Sequence, residues 1–254
     1  MWLRLRQICL VAHDIQTVTG QLESIFGLEV CHIDPAVGKY GLENRLLPIG
    51  NQLLEIVAPT EPGTAAGRFL ERRNGDGGYM VITQCDDHSP RKRRVEALGV
   101  RVANLLDHGE FQGMQLHPKD TGAAFFEIDF QAGGEAADGP WHPAGPDWQR
   151  ARRTHIIDAI VTAELQSSEP ERLCERWGEI AEIPVTPNTL GQPELALENA
   201  RLRFVPATDG RGDGLGGIDV RAVDRSAAFA NAHAAGVPVD GDSIVICGTR
   251  FRIC

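Results

Sequence analysis

The chain has 254 residues, 42% hydrophobic and 24% charged, a balance that supports a real core without disulfide or metal staples. Its 25 Lys and Arg stand against 35 Asp and Glu, a net charge of −10, which argues against a nucleic-acid partner, because phosphates demand a basic surface. No apolar run approaches the roughly 18 residues of a membrane span, and no signal-peptide core follows Met1-Trp2-Leu3-Arg4. The six cysteines, Cys9, Cys31, Cys85, Cys174, Cys247 and Cys254, form no C-x-x-C pair. They read as free thiols of a cytoplasmic protein.

In chain order, residues 6–12 read as a buried strand. Asp14 is placed to cap a helix whose Ile15, Val18, Leu22, Ile25 and Phe26 share one face, and Gly27 ends it. Residues 30–33, 44–49 and 53–57 read as three further strands, with a turn at Gly50-Asn51 between the last two. The order β-α-β-β-β then returns. Residues 79–85 read as a strand, Asp86-Asp87 cap a helix that ends at Leu98-Gly99, and strands follow at 100–102, 113–116 and 123–129. Gly27 and Gly99, Gly50 and Gly122, and Glu55 and Glu127 are each 72 residues apart. The stretches Gly-Asn-Gln-Leu-Leu-Glu-Ile (50–56) and Gly-Ala-Ala-Phe-Phe-Glu-Ile (122–128) align directly, the mark of an internal repeat.

Residues 131–149 are rich in Gly, Pro and Ala and read as a linker whose two tryptophans pack onto a domain surface. The unit returns more faintly beyond it. Strands are expected at 156–163, at Val185, at 194–197 and 201–205, then at 217–222, 244–246 and 250–253. Helices are expected at 169–180 and 224–235. Ala-Leu-Gly-Val-Arg-Val (97–102) matches Ala-Ala-Gly-Val-Pro-Val (234–239). The expected fold is therefore α+β, with four β-α-β-β-β units. The expected domains are 1–130, a linker at 131–149, and a degenerate second domain at 150–254.

This arrangement resembles the vicinal oxygen chelate superfamily, which includes glyoxalase I, methylmalonyl-CoA epimerase, bleomycin-resistance proteins and extradiol dioxygenases. The resemblance covers nearly the whole chain and is clearest over 5–130. It implies paired cup-shaped sheets and a divalent metal held by one residue from each first strand and one from each fourth strand. Carried over by position, the first-strand residues are Gln7, seven before Asp14, and Met80, seven before Asp87. The fourth-strand residues are Glu55 and Glu127. A thioether at Met80 replaces the imidazole that suits zinc, nickel or cobalt. No tightly bound cofactor is expected, and Gln7, Glu55 and Glu127 are oxygen donors suited only to a loosely held divalent ion. The matching positions of the second half, Thr162, Gly217, Arg203 and Arg252, offer no metal ligands.

Glu55 and Glu127 are the candidate catalytic residues, because a carboxylate in a partly apolar cup is raised toward the range of a general base. Gln7, Met80, Gln84 and Arg45 are the candidate substrate-binding residues. Alternation places Gln84, not Tyr79, on the face of Met80. Of Asn44 and Arg45, Arg45 is chosen because guanidinium binds anions bidentately. His13 and His117 read as capping and turn residues, and the runs Arg91-Lys92-Arg93-Arg94 and Arg150–Arg153 as solvated faces. Two functions fit: a glyoxalase-like enzyme, lyase or isomerase, that removes a proton next to a carbonyl, or a non-catalytic protein that sequesters a small ligand. The expected partner in both is a small molecule, with neither nucleic acid nor membrane, and a homodimer is compatible with either.

Overall fold

The computed structural model describes residues 1–254 and contains four modules in sequence, the first β-α-β-β and the other three β-α-β-β-β. The first comprises β1 (Leu3–Val11), α1 (Ile15–Phe26), β2 (Leu42–Ile49) and β3 (Gln52–Pro59), and α2 (Ala65–Arg73) leads out of it. The second comprises β4 (Gly77–Cys85), α3 (His88–Ala97), β5 (Val102–Asp107), β6 (Phe111–Leu116), the single turn α4 (Pro118–Thr121) and β7 (Phe125–Gln131). The third comprises β8 (Ile157–Ser167), α5 (Pro170–Ala181), β9 (Val185–Pro187), β10 (Pro193–Ala196) and β11 (Arg201–Pro206). The fourth comprises β12 (Gly214–Ala222), α6 (Arg225–Ala234), β13 (Val239–Asp240), β14 (Ser243–Ile246) and β15 (Thr249–Ile253). No helix is long and apolar enough to cross a membrane.

The helix boundaries follow the expected chemistry. Asp14 accepts from the N–H groups of Gln16 and Thr17, and Gly27 closes α1 at φ 67°, the left-handed region that glycine enters without cost. Asp87 and Asp224 cap α3 and α6 in the same way. Two elements depart from the sequence reading. Residues 30–33 form no strand but a single bridge, His32 to Leu46, because Asp34 and Pro35 start a 3-10 turn (Pro35–Tyr40) immediately afterwards. The short helix α2 buries only Ala66, Leu70 and Arg73, too thin an apolar stripe to register as a helical period.

Two compact units divide the chain. One gathers Met1–Arg6, Tyr79–Pro140 and Thr162–Leu215, and the other gathers Gln7–Gly78, Trp141–Val161 and Gly216–Cys254. The first thus holds most of modules two and three, and the second most of modules one and four. In the first unit Trp177 of α5 stacks on Phe126 of β7 with ring centroids 4.4 Å apart, meets Phe204 of β11 edge-on, and donates its indole N–H to the Thr121 carbonyl at 2.8 Å. In the second unit the buried face of α1 brings Phe26 to 5.7 Å from Phe251.

Each module closes on itself in one register. Its first strand runs parallel to its last, opposing Gln7 to Leu53 and Cys9 to Glu55 in module one, and Met80 to Phe125 and Ile82 to Glu127 in module two. Modules three and four repeat this with Thr162 opposite Arg201 and Glu164 opposite Arg203, then Gly217 opposite Arg250 and Asp219 opposite Arg252. Gln7, Met80, Thr162 and Gly217 are therefore equivalent positions, and so are Glu55, Glu127, Arg203 and Arg252.

Candidate functional site

In the second compact unit the parallel pairing of β1 and β3 puts Gln7, Cys9 and Glu55 on one face. The antiparallel partner β2 adds Asn44 and Leu46 to that face. Glu55 is 9% exposed, and Gln7 and Asn44 are buried. The amide of Gln7 donates from Nε2 to Glu55 Oε2 at 2.9 Å, and that of Asn44 donates from Nδ2 to Glu55 Oε1 at 2.7 Å. The buried indole of Trp141 donates from Nε1 to Gln7 Oε1 at 2.9 Å. Burial pushes the Glu55 carboxyl up, against the hydrogen bonds from Asn44, Cys9 and Gln7 that hold it down.

The orientation of both amides is dictated. An indole N–H can only donate, so it takes the Gln7 oxygen and turns the Gln7 NH₂ toward Glu55. The backbone N–H of Asp34 takes Asn44 Oδ1 at 2.8 Å and turns that NH₂ toward Glu55 as well. Arg45 stands opposite Ile56 on the other face of β2, where it bonds the Asn44 carbonyl and lies 3.5 Å from Glu43. The residue of the pair that reaches the face is Asn44.

In the first compact unit β4 and β7 pair so that Met80, Ile82 and Gln84 share a face with Phe125, Glu127 and Asp129. Glu127 is 3% exposed and Asp129 fully buried. Both carboxylate oxygens of Asp129 are buried, with the Glu127 side chain and the Met114 backbone as their polar neighbours. The opposing residue on β6 is Gly113, where an added Cβ would come within 2.5 Å of Asp129 Oδ1, so a glycine leaves room for the carboxyl. Burial first, then the neighbouring Glu127, pushes the Asp129 carboxyl well above the usual carboxylate range. Gln84 accepts from Arg4 through Oε1 at 2.9 Å and donates to the Gly134 carbonyl at 3.0 Å. Arg4 also bonds the carbonyls of Gly134, Glu135 and Ala136, and Arg6 those of Ala137 and Gly139.

Gln7 and Glu55 are thus brought together in one unit, and Met80, Gln84 and Glu127 share a face in the other. Three residues of these surroundings lie beyond the sequence candidates: Asn44, Asp129 and Trp141. The alternation Phe-Phe-Glu-Ile-Asp carries the signal for Asp129, two residues beyond Glu127 on the same face. The signal for Trp141 is a large aromatic in a connector otherwise made of small residues.

A divalent metal does not fit the first-module residues. Both Glu55 oxygens face N–H donors, and the Gln7 oxygen faces the indole. No group of three or more His, Cys, Asp or Glu side chains is arranged to hold an ion. In module two, Met80 stands at the position equivalent to Gln7 and offers a thioether, which suits Cu(I) rather than a hard divalent ion.

Four modules closed by parallel first and last strands define the vicinal oxygen chelate fold, and that is the fold of this chain. It extends over the full length. A Staphylococcus aureus protein described as hypothetical aligns over 99% of both chains with a TM-score of 0.66 and 14% identity. The ethylmalonyl-CoA/methylmalonyl-CoA epimerase of Cereibacter sphaeroides is 22% identical over 131 residues, which is 50% of this chain and 96% of that one. Methylmalonyl-CoA epimerase from Mycobacterium tuberculosis aligns over 50% of this chain and 87% of its own, with a TM-score of 0.45 and 21% identity. No family model matches the chain.

Proposed function

We propose that this chain is a glyoxalase-like small-molecule enzyme of the isomerase or lyase type that removes a proton next to a carbonyl, with Glu127 as the base. The observation that carries this reading is the carboxyl pair of β7. Glu127 and Asp129 lie two residues apart on one face, and burial pushes Asp129 up. Two adjacent carboxyls in a dry site do not both ionise readily. The pair therefore holds a proton more readily than two separate carboxyls would, and Glu127 is the member proposed to exchange it with a substrate. A carbon acid activated by a thioester is the substrate class suggested by the epimerase relative that half of this chain resembles. Met80 and Gln84, on the same face as Glu127, are the proposed substrate contacts.

The test is solvent-deuterium exchange into a panel of acyl-CoA thioesters and 2-oxo acids, followed by mass spectrometry. The wild-type chain should exchange at least one of them, and Glu127→Gln should lose on the order of 10²-fold or more, the usual contribution of a positioned base. Exchange that survives Glu127→Gln removes Glu127 from this role. A second reading, ligand sequestration without chemistry, is favoured by the amide N–H groups that occupy both Glu55 oxygens. Under it, a compound binds by calorimetry with no exchange in any variant.

A further inference from the structure

The metal-bearing position of the first module is filled from within the chain. We propose that the connector between the two halves is a permanent intramolecular occupant of this face, with the Trp141 indole standing on Gln7 where a metal would stand and Glu55 serving as its anchor. Glu55 is then a positioning residue, not a ligand or a base. This does not rest on the role given to Glu127.

Polarity carries the inference. A cation needs oxygen lone pairs turned toward it, and in this cluster each of the three side-chain oxygens of Gln7 and Glu55 already faces an N–H group. Trp141 Nε1 takes Gln7 Oε1, Gln7 Nε2 takes Glu55 Oε2, and Asn44 Nδ2 takes Glu55 Oε1. The two groups that set these directions, the indole and the Asp34 backbone N–H, have no acceptor and cannot reverse. Admitting an ion at Glu55 would require Trp141 to leave, and Gln7 and Asn44 to turn their amides against it. The connector is also tied down on either side of Trp141. Arg4 and Arg6 hold the carbonyls of residues 134–139. In the unit that contains Trp141, Ala144 and Trp148 are buried and Arg152 donates to Asn51 Oδ1. Burying a tryptophan whose N–H has found an acceptor is strongly favourable, and that favours a fixed occupant.

The experiment uses the full chain, labelled with ¹⁵N so that the four tryptophans give four indole signals. The Trp141 indole proton should exchange with solvent more slowly than that of the partly exposed Trp2 by on the order of 100-fold or more, given that opening a buried group needs local unfolding. Addition of Mn²⁺ should leave the Trp141 signal unbroadened. Trp141→Phe, which keeps a ring but removes the donor from Gln7, should lower the melting temperature by about 2–4 °C. Mn²⁺ that broadens the Trp141 signal in the wild type but not in Glu55→Gln would overturn the proposal, because an ion would then be entering at Glu55. So would fast exchange of the Trp141 indole proton. The exchange readout needs no variant and the Mn²⁺ readout needs only Glu55→Gln, so a poorly folding Trp141→Phe chain does not shield the proposal from test.

Discussion

Two carboxyls at equivalent positions of a repeat meet opposite surroundings, and this separates their roles. Glu55 accepts one amide N–H on each oxygen. Glu127 shares its face with Asp129, a fully buried carboxyl whose neighbours are Glu127 itself and the Met114 backbone. Burial and the nearby Glu127 raise Asp129 in the folded chain, and this sets the sign of a pH dependence. A carboxyl raised on folding contributes its full stability below its unfolded pKa of about 3.9, and that contribution is lost as pH rises through the folded value. Each unit of elevation is worth about 1.4 kcal/mol. Asp129→Asn should therefore melt above the wild type at neutral pH, with the two curves converging below about pH 4. Melting temperatures taken across that range by circular dichroism check this. Curves that run parallel from acid to neutral would mean that Asp129 is ionised in the folded chain.

At the scale of elements, local chemistry was legible wherever it repeated. Asp14 and Gly27 mark the ends of α1 because one short acceptor and one left-handed backbone do those jobs in few other ways. The 72-residue spacing located Glu55 and Glu127, and the observed register of β3 and β7 gives them the same place. The lost strand at 30–33 and the unforeseen α2 are stretches where tertiary context overrides a weak local pattern. The surroundings of Glu55 were hidden for another reason: Trp141 lies 134 residues from Gln7, and no local period reports a contact at that distance. The β2–β3 turn offers a test at this scale. Gly50 has φ 60°, and a Cβ there would press on the Asp158 backbone carbonyl. At Gly27 the obstacle is the His155 side chain, which can swing away. Both Gly→Ala changes meet the left-handed cost of about 1–2 kcal/mol. Gly50→Ala should lose clearly more than Gly27→Ala, since backbone cannot yield as a side chain does. Urea denaturation of the two variants measures the difference, and equal losses would place the Asp158 carbonyl farther from Gly50 than described.

Across the whole molecule one fold position is used in two ways. Modules one and two carry a glutamate on the last strand, whereas modules three and four carry Arg203 and Arg252, each facing an acid on its own first strand. Arg203 holds Glu164 through Nη2 at 2.7 Å and Nε at 3.1 Å, with the side chains 7% and 16% exposed. Arg252 bonds the buried Asp219. An acid and a base that neutralise each other leave little charge for a ligand at these two positions. Removing one partner of a fully buried pair costs about 3–5 kcal/mol, chiefly through the stranded charge. Arg203→Met should fall near the low end, about 3 kcal/mol, because Glu164 retains some solvent. The loss is not softened by the neighbouring strand, where Glu194 stands opposite Arg203 and leaves a second acid beside the first. Glu164→Leu combined with Arg203→Met removes the stranded charge and should recover most of the loss, as apolar replacements of buried pairs commonly do. A double-mutant cycle in urea gives the coupling directly. In the deuterium-exchange assay the double variant should match the wild type while Glu127→Gln does not. If the folded double variant loses exchange, Arg203 takes part in the chemistry and the last-strand position is functional in both halves of the chain.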